Sequence, residues 1–157
     1  MKKSFVILAL AALLLPFTVS AKKTSDDRIK VMSYNIRYGN ADDGTNSWKF
    51  RYPLTAMMLM DQKPDVVGMQ EPLKYQLDYI KEYVKPYKYV GVGREDGKTE
   101  GEYSPIFYNS KKISLVKWGF FWLSETPDVC SKGWDAACVR TATWAFMKDK
   151  KTGKKFY

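Results

Sequence analysis

Two residues combine a reactive type with a telling position. Glu71 directly follows a short apolar run, Asp65 to Gln70 (DVVGMQ), and is itself followed by the stiff Pro72. A carboxylate held at the end of a strand is a natural oxygen ligand for a hard cation such as Mg²⁺, which takes few protein ligands and keeps room for water and phosphate oxygens. Asn35 closes an earlier run, Ile29 to Asn35 (IKVMSYN), expected to lie beside the first. Its amide could orient a phosphate oxygen or a metal-bound water. Taken singly, each residue is better explained without chemistry, Glu71 as a solvent-facing glutamate and Asn35 as a turn residue. The chain of 157 residues contains no histidine. That excludes a Ser-His-Asp triad, a Cys-His dyad, a His-ligated zinc site and a histidine general base within it.

The elements that must position these residues can be read from periodicity. Ile29 to Asn35 alternates, with Ile29, Val31 and Ser33 on one side, as a strand does. Arg37 to Asn46 is rich in Gly, Asn and Asp and reads as a loop. A helix is expected over Leu54 to Met60, with a start as early as Trp48 and with Pro53 either in its first turn or at a kink. Lys63-Pro64 ends it. Asp65 to Gln70 reads as a strand, and the spacing of Leu73, Leu77, Ile80 and Val84 predicts a second helix over Leu73 to Val84. Beyond Pro86 the pattern turns to strands: Tyr87 to Val92, Ser104 to Tyr108, Ile113 to Leu123 and Ala142 to Met147, with a turn at Asp149 to Gly153 before Phe156-Tyr157. A β-α-β-α start followed by antiparallel strands points to an α+β sandwich of sheets with flanking helices rather than a doubly wound sheet. The sequence stops two residues into a return strand, so the fold is expected to be truncated on its C-terminal side.

Composition bounds the remainder. Hydrophobic residues at 45% and charged residues at 27% are ordinary globular usage and exclude a disordered or low-complexity chain. Lys2 and Lys3, the apolar run from Phe5 and the small residues of Val19-Ser20-Ala21 read as an export signal over residues 1–21, cleaved before Lys22. The apolar stretch is too short, and too interrupted by Pro16, for a stable membrane anchor. The product is therefore expected in the periplasm or outside the cell, as one domain over residues 22–157. The net charge of +9 favours an anionic partner, although a solvated lysine face accounts for it equally. Cys130 and Cys138 could close a short disulfide loop in an oxidising compartment or remain free thiols.

Sequence motifs add a resemblance. SYNIR, ending the first strand, and PDVVGMQE, around the second, with Trp48 and Arg51 between them, resemble the endonuclease/exonuclease/phosphatase superfamily of metal-dependent phosphoesterases. GEYSPIFYN, FFWLSETPD, SKGWDAA and VRTATWAF extend the likeness to the exported branch found in Bacteroidetes. It covers Ile29 to Tyr157. The resemblance implies a four-layer α/β/β/α sandwich, of which this chain supplies the N-terminal portion. It implies Mg²⁺, with Mn²⁺ as an alternative, bound by Glu71, and catalytic roles for Asn35 and Arg140. Glu102, Tyr103, Trp134 and Asp135 are expected to contact substrate or wall the cleft. The substrate would be a phosphate ester: nucleic acid, nucleotide, sugar phosphate or lipid headgroup. No obligate protein partner is implied. The family's catalytic histidines and its Asp-x-Asn pair would fall beyond Tyr157, so the chain as written is expected to be inactive. The competing expectation is a non-catalytic exported module that binds an anionic polymer.

Overall fold

The computed structural model describes residues 27–157; the expected export signal lies outside them. Four strands form a first sheet: β1 (Val31–Asn35), β2 (Val66–Gln70), β3 (Tyr87–Val90) and β4 (Ile106–Asn109), in the order β1-β2-β4-β3. β1 and β2 run parallel, and the other two pairings are antiparallel. The parallel pair requires a crossover, which helix α1 (Trp48–Gln62) supplies. Helix α2 (Lys74–Tyr83) follows β2. β5 (Ile113–Trp122), β6 (Thr141–Asp149) and β7 (Lys155–Phe156) form a second, antiparallel sheet.

Alternation along the strands divides the interior in two. Val67 and Met69 of β2 and Phe107 of β4 turn toward the helices, where they meet Ala56, Leu59, Leu77 and Ile80. Val66, Val90 and Tyr108 turn the other way and pack on Ile113, Ala145 and Met147 of the second sheet. The described residues thus stack as helices, sheet and sheet, the sandwich expected from the sequence.

The expected elements are present with shifted ends. α1 begins at Trp48, which places Pro53 inside the helix rather than in its first turn. On β1 the inward face is Met32 and Tyr34. Val31, expected on one side with Ile29 and Ser33, is 68% exposed, whereas Ile29 packs against the cluster shared with the second sheet. Both thiols are free, Cys130 exposed and Cys138 half-buried. Among the described residues, no helix is long and apolar enough to cross a membrane.

Candidate active site

The parallel register of β1 and β2 sets Asn35 opposite Gln70, so the two strands end together and Asn35 reaches the next residue, Glu71. Asn35 Nδ2 donates to Glu71 Oε1 at 2.7 Å. The backbone N–H of Tyr38 donates to Glu71 Oε2 at 2.9 Å. Asn35 Oδ1 in turn accepts from the N–H of Arg37 at 2.8 Å, which fixes the orientation of its amide. Both carboxylate oxygens are therefore held by neutral donors. Each still has lone pairs directed elsewhere.

The backbone is bent sharply to allow this. Arg37 and Glu71 both adopt left-handed φ of +69°. That conformation costs a non-glycine residue about 1–2 kcal/mol, so packing must hold it in place. Gln76 does much of the holding. Fully buried, it donates to the carbonyl of Arg37 at 3.1 Å and accepts from the N–H of Leu73 at 2.9 Å. This ties the start of α2 to the loop after β1. Gly39 lies so close to this bridge that a Cβ there would sit 2.2 Å from the Tyr75 hydroxyl oxygen. Arg51 secures the other side of the loop, with Nη1 donating to the Ile36 carbonyl at 3.1 Å and Nε to that of Asn46.

Charge is distributed unevenly around Glu71. The Asn35 amide holds its carboxyl below the ordinary value of 4.5, against the opposing effect of burial; the Tyr38 N–H and the charges of Arg37 and Arg140 assist. Arg37 is itself engaged by Asp43 through two bonds of 2.9 Å. No lysine or arginine forms an ion pair with Glu71 among the described residues. A carboxylate that is ionised, oriented and free of a cation suits a hard divalent ion that takes one or two carboxylates and completes its shell with water and phosphate. Among the described residues no cluster of three or more His, Cys, Asp or Glu is present. Any metal here would rest chiefly on this one side chain.

A cleft of about 270 Å³ opens over the pair. Asn35, Glu71, Glu102, Tyr103 and Arg140 all line it, drawn from both sheets and from the segment between β3 and β4. Arg140 stands at the start of β6, where its carbonyl accepts from the N–H of Leu123 at 2.8 Å. Tyr103 lines the cleft mainly as packing. It is 2% exposed, and its hydroxyl donates to the Lys98 carbonyl at 3.0 Å. Burial pushes that phenol up to about 12. Trp134 and Asp135, expected to wall the site, lie outside the cleft lining. The reason is local. Gly133 is tucked against Leu123 and Ser124, and the next residue turns through a left-handed φ of +48°. Trp134 is left 72% exposed.

Four lining residues went unnoticed in the sequence: Gln70, Arg94, Ser104 and Thr141. Gln70 and Thr141 adjoin the noticed Glu71 and Arg140. Arg94 belongs to a loop whose return to the cleft is set by the isolated bridge between Gly93 and Tyr103. Gln76 carried a weak signal, a glutamine three residues after the start of a helical run.

No protein-family model and no curated protein matches the chain; solved structures do. An endonuclease/exonuclease/phosphatase from Bacteroides vulgatus is 46% identical, with a TM-score of 0.79, over 82% of this chain and 49% of that one. A mannosyl-6-phosphatase from Bacteroides thetaiotaomicron is likewise 46% identical, with a TM-score of 0.79 and the same two coverages. The catalytic domain of human Nocturnin, at 16% identity and a TM-score of 0.63, shares the fold. The chain spans about half the length of these structures. By fold and by sequence, this chain belongs to the endonuclease/exonuclease/phosphatase family.

Proposed function

We propose that the protein is an exported, Mg²⁺-dependent hydrolase of phosphate esters, with Mn²⁺ able to substitute. The observation that carries the reading is the Glu71 carboxylate, held by the Asn35 amide and the Tyr38 N–H, ionised and unpaired, in a cleft shared with Arg140. The relative described as a mannosyl-6-phosphatase supports phosphate-ester hydrolysis. Bound at Glu71, the ion would polarise the phosphoryl group and offset the charge that develops on it.

The chain's own residues divide the other tasks. Asn35 keeps Glu71 in one orientation and holds its carboxyl deprotonated. Arg140 can hold two phosphoryl oxygens at once through its planar fork. The described cleft contains no histidine and no aspartate, and of its two glutamates Glu71 would hold the metal and Glu102 is paired with Arg94, so neither is left free to activate a water or protonate a leaving alcohol. These residues by themselves would thus bind phosphate without rapid turnover.

The test is hydrolysis of bis(4-nitrophenyl) phosphate by the complete gene product, with Mg²⁺, with Mn²⁺ and with chelator. Hydrolysis that needs the metal and disappears in Glu71→Ala supports the reading. Metal-independent hydrolysis, or full activity in Glu71→Ala, refutes it.

A further inference from the structure

The chain is basic, yet its cleft is not. Among the described residues, the charged groups lining it are Glu71, Glu102, Arg94 and Arg140, two of each sign. Residues 94–102, the loop that supplies Arg94 and Glu102, carry four acids against two bases. That loop is braced. Asp96 accepts from the N–H groups of Lys98, Thr99 and Glu100, and Arg94 N–H donates to the Glu102 carbonyl at 3.0 Å. Much of the positive charge sits at the opposite end of the second sheet. Lys148, Lys150, Lys151, Lys154 and Lys155 surround the β6–β7 turn, while Thr141 at the start of β6 lines the cleft. A nine-residue strand separates those ends by about 27 Å, more than two Debye lengths at physiological salt. Beyond the reacting phosphate, a nucleic acid strand crossing this cleft would meet a Glu102 carboxylate already paired with Arg94, where a polyanion track needs free cations.

Arg94 and Glu102 are joined by a 2.6 Å bond from Nη1 to Oε2, with side chains 15% and 19% exposed. Glu102 Oε1 and Arg94 Nη2 have no hydrogen bond among the described residues, and neither is a buried unpartnered atom. The pair thus presents an open acceptor, Glu102 Oε1, and an open donor, Arg94 Nη2, in a fixed relation, while Arg94 Nε lies buried without a partner. Trp122 Nε1 pins it from behind by donating to the Arg94 carbonyl at 2.7 Å. A hydroxyl group answers both at once, since it donates through its proton and accepts through its lone pairs.

We infer that the Arg94–Glu102 pair reads hydroxyl groups on the alcohol side of the substrate, so the cleft selects the phosphate monoester of a small polyhydroxylated alcohol, such as a sugar phosphate, over a nucleic acid. The inference rests on the phosphoesterase reading. One monoester accounts for the Arg140 guanidinium and a cation at Glu71, and its neutral alcohol lies against the paired loop without repulsion.

The experiment compares kcat/KM of the complete gene product with Mg²⁺ for glucose 6-phosphate, for propyl phosphate (an alkyl monoester without hydroxyls) and for a single-stranded oligodeoxynucleotide. Glucose 6-phosphate is expected to lead. Glu102→Ala should lower its kcat/KM at least tenfold more than that of propyl phosphate, mainly through KM. Glu102→Gln, which keeps the shape of the pair, should shift the same ratio at least threefold. Calorimetric titration of the chelator-treated protein with the two monoesters should show the same preference, without depending on turnover. A preference unchanged in both variants, or an oligonucleotide used better than glucose 6-phosphate, overturns the inference while leaving the phosphoesterase reading intact. Hydrolysis of the monoesters that survives Glu71→Ala overturns the underlying reading instead.

Discussion

Strand β2 is flanked by two carboxylates that meet opposite fates. At its start Asp65 is buried, and its Oδ2 accepts from Lys112 Nζ and from the Lys30 N–H, both at 2.7 Å. At its end Glu71 is half-buried and accepts only from an amide and a backbone N–H. Asp65 is answered charge for charge, and it fastens the first sheet to the segment that begins β5. Glu71 is oriented without being neutralised. The hollow beside Asp65 is the roomier of the two, about 430 Å³ against 270 Å³, but its single carboxylate already has a cation. If Glu71 holds a metal as proposed, cavity size is a poorer guide to such a site than a carboxylate with ordered neutral donors.

The comparison breaks most readily at Glu71. In the complete gene product, its replacement by alanine should lower kcat for an activated phosphate ester about 10³-fold, equivalent to about 4 kcal/mol of barrier, with little change in melting temperature. Asp65→Ala should do the reverse. It leaves the Lys112 ammonium without a counter-charge, holding only the Arg28 carbonyl, and the Lys30 N–H without its acceptor, and chemical denaturation should show a loss of about 2–3 kcal/mol. Removing Asp65 and Lys112 together should cost less than the sum of the single losses, since neither charge is then left unpaired. Equal stability losses from Glu71→Ala and Asp65→Ala would erase the distinction drawn here.

Asn35→Ala tests how Glu71 is held. It leaves the carboxylate in place but removes the bond that orients it, and a 10–100-fold loss in metal affinity or activity is expected, measured by metal titration. The smallest effect is on pH dependence. The Glu71 carboxyl lies below its ordinary 4.5, so whatever stability this contributes is fully present above the unfolded value and lost as pH falls through the lowered one. Metal binding should follow the same sign and hold down to below pH 4.5, with the midpoint moving upward in Asn35→Ala. A midpoint that stays put would show that the amide does not set this acidity.

Local pattern carried far enough to put Glu71 and Asn35 at neighbouring strand ends. The apolar run before Glu71, the stiff Pro72 after it and the alternation ending at Asn35 follow from side-chain periodicity, and the structure has both residues at strand ends. Arg140 was reached only through the family resemblance, since periodicity shows a strand after it but gives it no role. Trp134 and Asp135 were misplaced because a loop's path depends on contacts such as Gly133 against Leu123, which no periodicity encodes. Arg94 was missed because its neighbours in the cleft come from other strands and loops. The distinction between Asp65 and Glu71 was equally invisible, both being acids beside one apolar run.

The sequence by itself determined the strands, the helices and the presence of a carboxylate and an amide at adjoining strand ends, because alternation and helical spacing are properties of neighbours in the chain. Only the tertiary structure decided which acid keeps its charge available. That depends on a lysine 47 residues away for Asp65 and an amide 36 residues away for Glu71, and electrostatic pairing acts through space rather than along the chain.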